Sequence, residues 1–220
     1  MADLADIVAT RPRTQVERTA TMKQRLIDAT LTTLHVNGYA ELTIGRVVEQ
    51  AGVSRGAPLH HFASKAALIE AATEALVGDL SHKINELWAS ARHEPDPLRQ
   101  FCIALWHDIF LAREGVMLAE LSHASRRAPE LAEIMTRLWT GVYRVIQEVD
   151  PNGSAASDAP NPAAGLDAKR DILVNRIIML SQWLMRGMYA DIHLGAPPAL
   201  FESYINLWVD TIHAGAPNFS

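Results

Sequence analysis

The chain is poor in the residues and motifs that mark several functional classes. Cys102 is its single cysteine in 220 residues, which excludes a disulfide framework and any cysteine-built zinc site. No apolar run approaches the ~18 residues of a membrane helix; the longest candidate, 177–184, is cut by Ser181 and Gln182. The opening Met1-Ala2-Asp3-Leu4 has no basic flank and no apolar run, so no signal peptide is expected. A net charge of −5 leaves no whole-protein trap for polyanions. G-x-S-x-G, P-loop, G-x-G-x-x-G and H-E-x-x-H motifs are all missing. His107 and Asp108 are sequence neighbours, as are Ser122 and His123, so each pair points to different sides of a helix and makes no dyad. No H-x-x-x-H pair offers two metal ligands on one helix. An enzyme is therefore not expected, and no cofactor or metal is assigned. What is present is a 49% hydrophobic, 20% charged composition, enough for a sizeable core in one large or two small domains. The reading is a soluble protein of the cytoplasm.

The punctuation is helical, with Pro and Gly between long segments of 3.6-type periodicity and no strand-like alternation. Residues 1–18 lack that periodicity and form a flexible arm. A first helix spans Thr19 to Asn37, with apolar positions at Met22, Leu26, Ala29, Ile27, Leu31 and Leu34, and stops at Gly38. Thr43 caps a second, in which Ile44, Val47, Val48 and Ala51 keep the 0, 3, 4, 7 spacing; Gly52 ends it. Ser54 caps a short third helix reaching about His61, and Ser64 a long fourth from Lys65 to about Ala91. The fifth runs from Pro97 to Ala112, the sixth from about Gly115 to Ser125, the seventh from Pro129 to near Asp150. Pro151 to Gly165 reads as a loop. An eighth helix runs from about Asp167 to His193 and a ninth from after Pro198 to about His213. The fold class is all-α, with nine helices: a three-helix head over 19–64 and a six-helix body over 65–220.

Charge divides along the same line. Residues 10–65 hold eight Lys/Arg against Glu17, Asp28, Glu41 and Glu49, a surplus of +4, which leaves −9 elsewhere. A basic head on an acidic body suits a head that meets a polyanion, although a +4 surplus also arises by chance.

The informative segment is Thr43 to Gly56. A short amphipathic helix, a tight turn at Gly52 and a second capped helix make a helix-turn-helix, with Val48 inward and Val53 plugging the gap between helices. A helical corner without a ligand has the same outline. Such a second helix lies in the DNA major groove with its first turn at base edges.

Thr43 to Lys65, continued by Ala66-Ala67-Leu68, resembles the DNA-binding head of the TetR family of transcriptional regulators. Gly38-Tyr39, Ala51-Gly52-Val53-Ser54 and His61-Phe62-Ala63-Ser64-Lys65 fall in that family's order and spacing. The likeness covers about 19–70; the body fits only in length and helix count. What the resemblance implies is a cytoplasmic, ligand-responsive repressor that binds a palindromic operator as a homodimer. The head residues it implicates are Thr43, Ser54, Arg55, Gly56, Ala57, His60, His61 and Lys65. Thr43 would present hydroxyl and N–H groups to a phosphate. Arg55 suits guanine or phosphate, Gly56 a close backbone approach, and Ala57 a thymine methyl. His61 and Lys65 would contact the phosphate backbone, and Phe62 would be core. Leu59 stands where the family usually has Tyr, and Pro58 where it has an aliphatic residue, which bears on operator choice.

The resemblance also implies an effector pocket among helices four to seven and a two-fold bundle of helices eight and nine. For the pocket, the large and adaptable side chains are Trp88, Phe101, Leu105, Trp106 and Ile109, then Met117, Leu121, His123, Trp139 and Tyr143, with Trp183 beyond; most must also serve as core. Aromatic and Met lining suits a hydrophobic or aromatic small molecule, with His107, Asp108 and His123 as polar handles. For the dimer face, Ile178, Ser181, Met185 and Met188 form one stripe on helix eight, Gly187 and Ala190 allow close approach nearby, and helix nine offers Leu200, Tyr204, Leu207, Trp208 and Ile212; burial within one chain would use the same faces. The competing reading is a helical interaction protein that kept the head but lost DNA binding, to which Ala57 and Leu59 lend support.

Overall fold

The computed structural model describes residues 14–147 and 162–215; the expected arm up to residue 13 and most of the expected loop lie outside them. Among the described residues every regular element is helical. Two compact units meet in sequence at Ala72 and Thr73.

In the first unit, helix α1 (Gln15–Asn37) begins four residues before the expected Thr19. Thr14 accepts the N–H of Glu17 at 3.2 Å, while the Glu17 carboxylate accepts the N–H of Thr14 at 2.6 Å. This reciprocal capping box satisfies two otherwise orphaned donors and moves residues 14–18 out of the arm and into the helix and its cap. Leu26, Ala29, Leu31 and Leu34 face inward. Thr30 and Thr33 are buried beside them and stay satisfied by donating to the carbonyls of Leu26 (2.7 Å) and Ala29 (2.8 Å). Against α1 pack α2 (Ile44–Ala51) and α3 (Ala57–His61). Leu42, Val47, Val48 and Ala51 complete the core with Leu68, Ile69 and Ala72, from the first turns of α4 (Lys65–Ala91). The head therefore extends to Ala72 rather than stopping at residue 64. Ser64 caps α4 as expected, accepting the N–H of Ala67 at 3.1 Å.

The second unit holds the rest of α4, then α5 (Pro97–Leu105), α6 (Arg113–Ser125), α7 (Pro129–Gln147), α8 (Pro162–Asp191) and α9 (Pro198–Gly215). Helix α8 starts inside the stretch expected to be loop, with Pro162 at its first position, where the missing N–H costs nothing. The expected fifth helix changes character: α5 passes at Trp106 into a π-helical turn ending at Phe110, and Leu111 donates to the carbonyl of Trp106 five residues back at 2.9 Å. Just beyond it Gly115 is indispensable, because a β-carbon there would lie 2.3 Å from the Phe110 carbonyl oxygen and 2.4 Å from that of Ile109. Trp106 is fully buried against Phe110 and Phe201. Arg99 ties α5 to α9 by donating to Asn206 at 2.8 Å and Asp210 at 2.5 Å while also pairing with Asp96 at 2.9 Å. None of the helices among the described residues is long and apolar enough to cross a membrane.

Candidate nucleic-acid interface and body cavity

The helix-turn-helix is built by two local choices. Thr43 accepts the N–H of Arg46 at 3.2 Å and so starts α2. Gly52 ends it at φ +61°, the left-handed region, which turns the chain so that Val53 donates to Val48 at 3.0 Å. A side chain at Gly52 would be strained by that φ and would put its β-carbon 3.2 Å from Nη2 of Arg25.

Ser54 does not cap the third helix as expected. Its carbonyl accepts the N–H of Ala57 at 3.0 Å, making a turn through Arg55 and Gly56, and α3 starts only at Ala57, with no side-chain cap. Pro58, tolerated only in a first turn, sits second in this shortened helix. Thr43, Ser54, Arg55, Gly56, His60 and Lys65 are exposed; Ala57 and His61 are half-buried.

Phe62, expected in the core, is also half-buried, and the ammonium of Lys23 lies 6.0 Å from its ring centroid. Lys65 stands 5.8 Å from the ring of Tyr39, a cation–π distance that holds the ammonium near the start of α4. Arg46 is paired with Glu41 at 2.7 Å, both groups about half exposed. Tyr39 was visible in the sequence only as part of a motif; its role under Lys65 depends on how the α1–α2 corner folds.

The second unit contains a cavity of about 760 Å³. Of the residues expected to line it, Leu105, Ile109, His123 and Trp139 do so. The side chain of Tyr143 lies outside the described residues. The others are elsewhere. Trp88 is partly exposed and meets Phe101 edge-on at 5.3 Å; Trp106, Met117 and Leu121 are buried in the core; Trp183 is 53% exposed. The reason is shared: α4, α5 and α6 have more apolar residues than one face holds, and periodicity does not say which apolar face borders a void.

Residues that the pattern did not single out fill the gaps. Phe110 and Leu118 add apolar wall, while Arg126, Gln182, Arg186 and Tyr189 add polar groups. Gln182, Arg186 and Tyr189 follow a 0, 4, 7 spacing along α8, a polar stripe on a helix otherwise rich in apolar residues, and that spacing was the available signal. The Arg186 guanidinium lies over the Trp139 ring, 4.2 Å from its centroid. Burial, reinforced by the charge of Glu120, pushes the Tyr189 hydroxyl above its ordinary pKa and keeps it a proton donor.

The expected dimer stripe on α8 needs correction. Ser181, Met185 and Met188 are buried within the chain, Met185 completely, and Ser181 accepts a hydrogen bond from Trp208 of α9; Ile178 has no described side chain. The exposed apolar stripe on α8 is Leu180 and Trp183, followed by Gly187. On α9 Tyr204 is exposed, as a surface role requires, with Leu200 and Leu207; Trp208 and Ile212 are half-buried.

Comparison with known proteins bears on both units. A family model for bacterial regulatory proteins, tetR family, matches residues 26–72. The HTH-type transcriptional regulator CymR of Pseudomonas putida is 34% identical over 125 residues, 57% of this chain and 61% of that protein. The chain thus spans less than two thirds of that relative. The HTH-type transcriptional regulator BetI 2 of Chromohalobacter salexigens is 31% identical over 160 residues, 68% of this chain and 73% of that one. Among solved structures, a transcriptional regulator from Rhodococcus sp. Rha1 has a TM-score of 0.60 at 22% identity, covering 90% of this chain and 99% of that one, and so shares the fold.

Proposed function

Because this chain belongs to the TetR family of bacterial regulatory proteins, we propose that it works as a homodimeric repressor of a palindromic operator, released when a small molecule enters the body cavity. It is a helix-turn-helix transcriptional regulator rather than an enzyme. The observation that carries the finer reading is that one chain combines an exposed turn, Ser54 to Gly56, leading into α3 with a second unit that contains a cavity of about 760 Å³.

Arg55, Gly56 and Ala57 are the base-reading residues in this proposal. Gly56 admits the duplex closely, Ala57 offers a methyl, and Arg55 offers a guanidinium. Thr43, His60, His61 and Lys65 are the backbone contacts, with Lys65 held by Tyr39, and Ser54 shapes the turn that presents them. Two copies are needed to read two half-sites about 34–36 Å apart. We assign the dimer surface to Leu180, Trp183, Leu200, Tyr204 and Leu207. Helix α4 carries residues of both units, so a ligand against Leu80 or Ile84 touches the same helix that Lys65 begins. For tenfold release the ligand needs about 1.4 kcal/mol of preference for the DNA-free state.

The test is fluorescence anisotropy with duplexes from the DNA flanking its own gene, over a salt series. Wild type should bind one duplex specifically, and Lys65→Ala should weaken binding to all duplexes and lower the salt slope by about one. A compound found by thermal shift should then weaken operator binding at least tenfold. Absence of specific binding to any flanking duplex, or operator affinity unmoved by saturating cavity ligand, would overturn the corresponding half of the proposal.

A further inference from the structure

Two ammonium groups of the head are stationed by aromatic rings at the turn between α3 and α4. Lys23, at an exposed position of α1, lies 6.0 Å from the ring centroid of Phe62. Lys65, exposed at the start of α4, lies 5.8 Å from that of Tyr39. Phe62 is the residue that ends α3, where its N–H donates to the carbonyl of Pro58 at 2.8 Å. Lys23 therefore stands beside the C-terminal end of α3, brought there from a helix outside the helix-turn-helix. It also lies outside residues 26–72, the part that the family model matches.

Neither ammonium is paired with an acid among the described residues. Nearby carboxylates are committed elsewhere. Glu17 accepts the N–H of Thr14, Asp28 accepts from the amide of Gln24 at 2.9 Å, and Glu41 pairs with Arg46 at 2.7 Å. Two like charges gathered at one turn repel each other, and an external anion relieves that repulsion.

Resting on the reading of the head as an operator-binding unit, we propose that Lys23 is a further contact to the DNA backbone, with Phe62 as its positioning residue. Location selects DNA over other anions. In that reading α3 enters a major groove about 12 Å wide, so the phosphate walls run close beside the helix. A cation next to the far end of α3 meets a wall rather than a base edge. Such a contact carries no sequence information; it adds affinity and fixes the orientation of the protein on the duplex. The Phe62 ring limits the sweep of the long lysine side chain, so less conformational freedom is lost when the phosphate is bound. Helix α1 thereby becomes a third element of the interface, after the start of α2 and the turn into α3.

The test is fluorescence anisotropy of the full-length protein over a salt series on two duplexes: the flanking duplex that it binds best, and one of scrambled sequence. One phosphate contact contributes about 0.9 to the slope of log affinity against log salt, which amounts to roughly fivefold in affinity at about 0.15 M salt. Lys23→Ala should lose that much on both duplexes alike, and Lys23→Arg should keep most of it. Alanine is the better helix former, so α1 persists in the alanine variant. Phe62→Leu should weaken binding in the wild-type background and add little in the Lys23→Ala background, a coupling that a merely structural ring would not produce. Arg92→Ala removes an exposed cation of the second unit and measures the effect of net charge alone. An unchanged salt slope in Lys23→Ala overturns the proposal. So does a loss confined to the flanking duplex, and so does an equal loss in Arg92→Ala. Additive effects of Phe62→Leu and Lys23→Ala overturn the positioning role. The underlying reading fails differently: if wild type binds both duplexes equally, operator recognition falls, while a loss in Lys23→Ala still establishes the backbone contact. If wild type binds neither duplex, both fall.

Discussion

The indole Nε1–H of Trp208 donates to the hydroxyl of Ser181 across 2.8 Å, and that hydroxyl donates onward to the carbonyl of Ile177, also at 2.8 Å. One serine thus accepts from α9 while remaining bonded to its own helix, at a position only 2% exposed. The pair fixes the register of α8 on α9 within a single chain. It also explains why Ser181 faces inward although it interrupts an apolar run.

Removing the acceptor leaves the indole donor unpaired in a partly buried place, so Ser181→Ala should cost about 1 kcal/mol, the low end for an unsatisfied polar group. Trp208→Phe loses apolar area as well as the bond. In the double variant the cost should be less than the sum of the singles, which measures the coupling. Urea unfolding at fixed protein concentration checks this; additive costs would mean that the bond contributes nothing.

Gly115→Ala should be among the most damaging single-methyl changes in the body. The added carbon would lie within 2.4 Å of two backbone carbonyl oxygens, those of Ile109 and Phe110, and neither can swing aside as a side-chain end can. Overpacking of this kind costs roughly 1–3 kcal/mol. The variant should melt several degrees below wild type. It should also lose affinity for any cavity ligand, because Gly115, Ile109 and Phe110 all border the cavity. An unchanged melting temperature would show that the start of α6 can move away from the π-helical turn.

The head was legible because its signals are local. Thr43 as cap, Gly52 as left-handed stop and Val47/Val48 as the inward face each follow from side-chain chemistry within a turn of the residue concerned, and all three hold. The capping box at Thr14 and Glu17 was equally local and was overlooked because residues around it lack apolar periodicity. The cavity was less legible. Trp106 and Ile109 are both buried, but only Ile109 borders the void; the difference arises from the π-helical turn and from the partner helices, neither of which leaves a mark in hydropathy. On α8 the inward and outward stripes are both apolar, so Met185 and Trp183 could be told apart only once α9 was in place.

Cys102 should be inert in the folded protein. It is almost fully buried, and burial pushes its thiol up from 9.0 to about 11, so very little thiolate forms near neutral pH. Because the folded pKa lies above that of the exposed thiol, the native state holds the proton longer than the unfolded chain does. The associated stability is fully present below about pH 9 and is lost as pH rises from there towards 11. A disulfide-exchange reagent at pH 8 should therefore label Cys102 only after unfolding, and Cys102→Ala should lose less stability than wild type between pH 9 and 11. Rapid labelling of the native protein would show that the α5 core opens readily.

Gly187 gives the sharpest test of the proposed dimer surface, because the single chain itself gives it nothing to touch. An ideal β-carbon at Gly187 meets no atom within 4 Å, as at Gly78 on α4. Both are exposed helical glycines, and replacing such a residue by alanine typically stabilises a helix by about 0.5–1 kcal/mol. Gly78→Ala should therefore raise the melting temperature. Gly187 differs in its surroundings: Leu180 and Trp183 precede it on the same exposed stripe, and Leu207 of α9 is 59% exposed. If two copies pack there about a two-fold axis, Gly187 lets their backbones approach, and a leucine side chain would hold them apart. Gly187→Leu should then remain helical by circular dichroism but sediment as a monomer at micromolar concentration, with specific operator binding lost along with the second head. If that variant stays dimeric with unchanged operator affinity, the two-fold contact lies elsewhere, and Leu180, Trp183 and Leu207 have another use.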